Sequence, residues 1–279
     1  MTLLSIASWS FHRLLESGQQ DMFKYIIDCK NLGATQLDPW NGHLAPLVAR
    51  DNVMKNERFP NDQLSLDEKA YLAQVKAAAD HAGLPFGCLA VDGAHIYEST
   101  PEARAFNRAV AYRWLDAASL LGATMVRVDA GGPPEMPDDI FSIIVEGYQD
   151  LLGRAHRLGI ELLIENHWGP SPIPENLVRI LDAVPGLGLL FDTNNFEGDK
   201  ELAWEMFAGR AVSVHIKTFS FDEQGNEPSV NIPKAIQLLA AAGYNGAWGV
   251  ESVPRDGDEY GAVEKTFALI RRTLEGIGQ

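Results

Sequence analysis

Eight short apolar runs alternate, without a break, with stretches of helical periodicity along this chain of 279 residues. The runs occupy residues 3–7, 35–40, 85–91, 124–129, 160–165, 187–191, 211–216 and 247–250. Each is short, rich in β-favouring residues and apolar almost throughout, as a strand covered on both faces must be. Strands that alternate one-for-one with helices pair in parallel, because a parallel partner is reached only through a crossover. Eight such units in this length fit a closed (β/α)8 barrel, the TIM-barrel architecture, better than an open sheet. A doubly wound open sheet would carry a glycine-rich phosphate turn after its first strand; the sequence there is SWSFH. No linker-like or low-complexity stretch divides the chain. Residues 1–279 therefore read as a single α/β domain with its active site at the C-terminal strand ends.

Helical patterns cover residues 21–31, 65–81, 100–121, 138–158, 174–184, 200–207, 232–242 and 259–274. Ser65, with Glu68 three residues on, predicts a capping box. Thr100 followed by Pro101 predicts an N-cap with proline in the first turn. Residues 41–62 are polar and read as a long loop after the second strand. Such loops are often functional, and this one is expected over the barrel mouth, shaping specificity as a lid.

Composition excludes several classes. The net charge of −15, with no run of lysine or arginine, predicts repulsion from a phosphate backbone and so no nucleic-acid partner. Cys29 and Cys88 lie in apolar settings without a CxxC pair and read as buried free thiols. The first residues lack a basic leader and a small-residue cleavage site, and no apolar run approaches the ~20 residues of a membrane span. The expectation is a cytoplasmic protein, away from membranes, acting on a small molecule; a homo-oligomer is compatible with all of this.

Four of the apolar runs end in groups that a buried strand does not normally carry. IELLIENHWG brings Glu165, LGLLFDTNNF brings Asp192, AVSVHIKTF brings His215 and Lys217, and AWGVESVP brings Glu251. In a barrel these would end strands five to eight, which are neighbours round the ring, so the side chains can converge. Three carboxylates and one imidazole suit a single divalent ion: Mn2+, Mg2+, Co2+ or Zn2+. Without a cation, carboxylates this close would repel, and at least one would stay protonated. Alternation puts Glu165 and His167 on one face, His215 and Lys217 on another, and Arg127 with Asp129 on a third. Arg127 and Asp129 read either as an ion pair closing the barrel top or as groups of the site. Asn194 shares the parity of Asp192, but parity decays at a strand end, so Asn195 is an equal candidate. Trp9, Trp40 and Trp168 either pack in the core or offer a face to a sugar ring. His95 ends a strand without a specific signal. The substrate-contact candidates are His167, Asn195, Lys217, Arg127, Trp9 and His95.

At these residues the chain resembles the xylose-isomerase-like sugar phosphate isomerase/epimerase superfamily, which also contains apurinic-site endonucleases. The motifs are IENH at 164–167, FDTNN at 191–195, VHIK at 214–217 and GVES at 249–252, and the likeness runs over essentially the whole chain. The resemblance implies Glu165, Asp192, His215 and Glu251 as ligands of one divalent metal. In the family's ketose 3-epimerases the two glutamates are also the acid/base pair, which here means Glu165 and Glu251. The chain departs from those epimerases at Asn195, where they carry histidine, and at Thr218, where many relatives carry aspartate. The endonuclease branch uses a histidine-rich multi-zinc site; few of the seven histidines here stand at strand ends.

The resulting expectation is a metal-dependent isomerase or epimerase of a keto-sugar or sugar derivative, working through an enediolate. A metal-dependent lyase or dehydratase on the same barrel is the alternative, of 3-dehydroshikimate, inosose or 3-keto-glycoside type, since enolate formation is common to both.

Overall fold

The structure, a computed structural model, describes residues 2–55 and 62–278. Its strands are β1 (Leu4–Ala7), β2 (Gln36–Asp38), β3 (Cys88–Val91), β4 (Met125–Val128), β5 (Glu161–Glu165), β6 (Gly188–Asp192), β7 (Ala211–Thr218) and β8 (Trp248–Ser252). All pair in parallel in the order β2-β1-β8-β7-β6-β5-β4-β3. Two isolated parallel bridges, Leu37 with Phe86 and Trp40 with Ala90, join the remaining seam and close the ring. The expected TIM barrel is therefore the observed fold.

The helices are α1 (His12–Glu16), α2 (Met22–Leu32), α3 (Ala45–Met54), α4 (Leu66–Ala82), α5 (Pro101–Leu121), α6 (Asp138–Leu158), α7 (Pro174–Ala183), α8 (Lys200–Phe207), α9 (Ile232–Ala241) and α10 (Glu259–Gly276). The predicted capping box opens α4: the Glu68 N–H donates to Ser65 Oγ (3.2 Å) and the Ser65 N–H to Glu68 Oε2 (2.7 Å). Thr100 caps α5 ahead of Pro101, as expected. Among the described residues no helix is long and apolar enough to cross a membrane. Cys29 and Cys88 are buried and free.

Apolar packing falls into two layers. The large one lies between strands and helices and takes Leu189, Phe191, Val214, Ile216 and Val250. A small one, Cys88, Leu163 and Leu190 with Met125 and Val212 against it, fills the ring. Alternation then carries the inward face from Leu163 to Glu165 and from Leu190 to Asp192. On β7 the register slips by one residue opposite Leu189 and Leu190, so Val212 joins the inner layer while His215 still pairs with Asp192. Gly249 on β8 pairs with His215; a Cβ there would collide with the Val214 carbonyl oxygen and press on Ser5 Oγ at 3.2 Å.

Residues 41–62 correct the sequence reading. Asn41–His43 is a 3-10 turn and Ala45–Met54 is α3, so the described part of this stretch is not a loop; residues 56–61 lie outside the described residues. Leu44, Leu47 and Met54 are buried at helical spacing, and Asp51 fills the gap in that stripe. Asp51 is held by Arg113 of α5, which is fully buried and also donates to Glu68 Oε1 (2.9 Å) and the Leu47 carbonyl (2.6 Å). Trp114 Nε1 donates to Asp51 Oδ2 at 3.0 Å. Helix α3 is thereby clamped to α4 and α5.

Candidate active site

Four polar groups meet where β5 to β8 end. Glu165, Asp192, His215 and Glu251 are buried, and each offers a ligand atom within 4.8 Å of the other three. The strands place them: Glu165 and Asp192 are the last residues of β5 and β6, His215 is in register with Asp192, and Lys217 with Glu251. His215 Nδ1 lies 2.7 Å from Glu251 Oε2 and 3.6 Å from Glu165 Oε1. Lys217 Nζ lies 2.8 Å from Glu251 Oε1 and 3.5 Å from Asp192 Oδ2.

The short distances do not make a satisfied network. Glu165 Oε2, Asp192 Oδ2 and His215 Nδ1 are buried without a hydrogen-bond partner, although each lies within ion-pair distance of an oppositely charged group. Buried polar atoms are rarely left so, and unpaired ones cost free energy. The other oxygen of Asp192 is fully used: Oδ1 accepts the N–H groups of Asn194 (2.6 Å) and Asn195 (3.1 Å). The Asp192 N–H donates to Asn166 Oδ1, and Asn166 Nδ2 donates back to the Asp192 carbonyl. One carboxylate edge is thus pinned while the other is held open toward Glu165 and His215. Three carboxylates and an imidazole form a donor set that fits one divalent cation.

The same closeness sets the protonation of the cluster. Burial, with Glu251 and Glu165 nearby, pushes the Asp192 carboxyl up to about 6 although Lys217 opposes it. Burial would also raise Glu165, but Arg127, His167 and His215 hold it down at about 2. Burial disfavours the charged form of His215, yet Glu251 and Glu165 raise it to about 10. Protonated His215 and Lys217 supply the positive charge that the carboxylates require.

Around this cluster lies a chamber of about 240 Å3. Arg127 projects into it from β4, with Nε 3.0 Å from Glu165 Oε2 and Nη1 bound to Asp92 Oδ1 (2.7 Å) and Asp129 Oδ2 (3.0 Å). Arg127 is therefore both a wall of the chamber and the ion-pair partner of Asp129. His167 Nδ1 faces Asp129 Oδ2 at 3.2 Å. Burial works against its charge, but Glu165 and Asp129 prevail and raise its pKa. Asn195 does not line the chamber; its side chain bridges Glu165 Oε1 (3.3 Å) and Lys217 Nζ (3.2 Å). Of the two asparagines, the bridge thus falls to Asn195. Trp9 lines the chamber, stacked on His12 and edge-on to Trp40.

His95 is placed elsewhere. It is half-buried beside Gly131, its carbonyl accepts from Asn107 Nδ2 (3.1 Å), and it does not line the chamber. Two lining carboxylates were missed from sequence. Asp38 ends β2 and accepts from Ser5 Oγ and the Cys88 N–H (2.9 Å); Asp92 follows β3 and accepts from Trp40 Nε1 (2.8 Å). Both obey the rule that exposed Glu165: a carboxylate that terminates an apolar run.

The xylose isomerase-like TIM barrel family matches residues 29–273. The chain belongs to this family. The xylose isomerase-like barrel seen here superposes on that of an L-ribulose 3-epimerase with a TM-score of 0.73 at 16% identity, covering 99% of this chain and 95% of that one. Against the 3-keto-D-glucoside 4-epimerase of E. coli the values are 0.67 and 18%, covering 91% and 95%. Against the IOLI protein with a bound zinc atom they are 0.71 and 12%, covering 99% and 98%. At these identities the likeness speaks for the fold. No curated protein matches the sequence.

Proposed function

We propose that this protein is a divalent-metal-dependent isomerase or epimerase acting on a keto-sugar or sugar derivative, with Glu165 and Glu251 as its acid/base pair. The observation that carries this reading is the convergence of Glu165, Asp192, His215 and Glu251, buried and each with a ligand atom within 4.8 Å of the others, three of them with an atom that makes no hydrogen bond. Glu165, Asp192, His215 and Glu251 would hold the ion. Bound there, a divalent ion supplies Lewis acidity, which makes the C–H beside a ketone easier to deprotonate and stabilises the enediolate.

The chain's own residues account for the proton transfers. Glu165 is kept ionised by Arg127 and can accept the proton of that C–H. Glu251, held ionised beside Lys217 and His215, stands on the neighbouring side of the cluster; a proton taken up there from solvent is delivered to the carbanion as Glu165 releases the one it accepted. Return to the opposite face of the same carbon is epimerisation, and return to the adjacent carbon is isomerisation. Acid–base help of this kind contributes about 10²–10⁴-fold. Asn195 holds the Glu165 and Lys217 side chains at fixed separation. The aromatic walls at Trp9 and Trp40 suit the C–H face of a sugar, and the relatives' names (L-ribulose 3-epimerase, 3-keto-D-glucoside 4-epimerase) point to the same substrate class.

The test is solvent exchange. Incubation with keto-sugars and Mn2+ in D2O should place deuterium on the carbon next to the carbonyl and yield a new stereoisomer or the paired aldose. Loss of water or of an aglycone would instead mark a lyase, and no exchange with any keto-sugar would refute the reading.

A further inference from the structure

The chamber has two unlike zones. Its floor and inner walls are ionic, built from Glu165, Glu251, Lys217 and Arg127, while its rim is aromatic, built from Trp9, Trp40 and Trp168. At about 240 Å3 the chamber falls below the roughly 300–1,000 Å3 usual for sites that enclose drug-sized ligands, which leaves room for a single sugar ring. Trp9 and Trp40 are half-buried and mutually fixed: their rings lie edge-on at 4.8 Å, and Trp40 Nε1 is tied to Asp92. Trp168 differs. It is 57% exposed, and of the exposed large apolar side chains among the described residues it alone lines the chamber.

That exposure is not the looseness of a surface loop. Buried Ser171 accepts the His167 N–H (3.1 Å) and donates to the Trp168 carbonyl (3.1 Å). Gly169 has φ +69°, and a Cβ there would lie 2.7 Å from the carbonyl oxygens of both Gly131 and Gly132, so the turn sits directly on its neighbour. The His167 ring packs against the indole at 4.7 Å. The turn that carries the indole is thus fixed, and an aromatic face at a pocket rim suits a stacking ligand.

We infer that Trp168 forms an outer subsite that stacks the aglycone of a keto-sugar glycoside, the sugar ring itself occupying the ionic chamber. This rests on the keto-sugar reading above and deepens it by naming the substrate class as a glycoside with a planar or apolar aglycone. Sugars have polar rims and apolar faces; Trp168 lines the chamber at its edge with over half of its surface in water, so a ring seated among the ionic groups covers the indole only in part. An aglycone leaving the chamber past the rim covers it.

The experiment compares deuterium uptake from D2O by the Mn2+-loaded protein with methyl and phenyl 3-keto-D-glucopyranosides, both anomers, and with D-fructose. Aromatic stacking predicts a preference of about tenfold in kcat/KM for phenyl over methyl, carried by KM. Trp168→Ala should bring that ratio close to one, Trp168→Phe should keep most of it, and Leu202→Ala on α8, outside the chamber, should keep all of it. Equal use of the two glycosides by the natural protein, or a preference that survives Trp168→Ala, overturns the inference. So does exchange into D-fructose with none into either glycoside, which leaves the keto-sugar reading standing. If Trp168 were instead covered by a second copy of the chain, Trp168→Ala would change the sedimentation coefficient and leave the phenyl-to-methyl ratio intact, which also overturns it. Failure of every keto-sugar to exchange removes the proposed function itself.

Discussion

Lys217 and Glu251 face each other in register on β7 and β8, and their Nζ and Oε1 atoms are 2.8 Å apart. The ammonium also lies 3.5 Å from Asp192 Oδ2. A fixed cation thus sits against the cluster that would receive a mobile one, and it supplies much of the positive charge that keeps three buried carboxylates together.

Lys217→Met should expose this dependence. Breaking a buried ion pair by removing one partner costs about 3–5 kcal/mol. The metal-free variant should melt several degrees below the natural protein, and Mn2+ should recover more of the melting temperature in the variant than in the natural chain. Melting curves with EDTA and with Mn2+ measure this. Equal metal-induced shifts in the two proteins would show that Lys217 is not the cluster's counter-charge.

Glu251→Gln keeps the shape of the side chain and removes its basicity. Turnover should fall by about 10²-fold or more while the far-UV spectrum stays unchanged. A variant that only melts earlier and still turns over at the natural rate would end the acid/base assignment.

Arg113→Met tests the clamp on α3. Asp51 and Glu68 would both lose their buried partner, with an expected loss of about 3–5 kcal/mol in denaturant unfolding. Arg113→Lys retains the charge but not the fork that reaches both carboxylates and the Leu47 carbonyl, and should recover only part of it. Full stability in Arg113→Met would mean that the apolar stripe alone seats α3.

His43 makes stability depend on pH. Burial lowers its pKa from 6.5 to about 4, despite the opposing charge of Asp21. Between those values the unfolded chain binds a proton that the folded one does not. The contribution is therefore complete above pH 6.5 and is lost as pH falls toward 4, by about 3 kcal/mol. Urea unfolding at a series of pH values should show His43→Gln losing less stability than the natural protein across that window. Parallel curves would contradict it.

The barrel was readable from sequence because each strand is a local event, a short apolar run closed by a turn. The cluster was readable for the same reason: a carboxylate at the end of such a run is a local anomaly, and Glu165, Asp192 and Glu251 all show it. Asp38 and Asp92 show it more weakly, since β2 is only three residues long and Asp92 stands one residue past β3. Helix α3 was not readable. Its stripe is broken by Asp51, and the residue that makes Asp51 acceptable inside the protein is Arg113, 62 positions away. His95 lies outside the chamber lining, and a histidine near a strand end carries no sign in the sequence of which way its ring turns.

Gly249 sets a limit on how this protein can be re-engineered. It carries no side chain of its own, yet as the strand partner of His215 it lets β8 lie close to β7, where His215 and Glu251 meet. Even alanine there would press its Cβ on the Val214 carbonyl and wedge the two strands apart beneath the cluster. Libraries aimed at new substrates can vary the rim freely, but the position beside His215 should stay without a side chain.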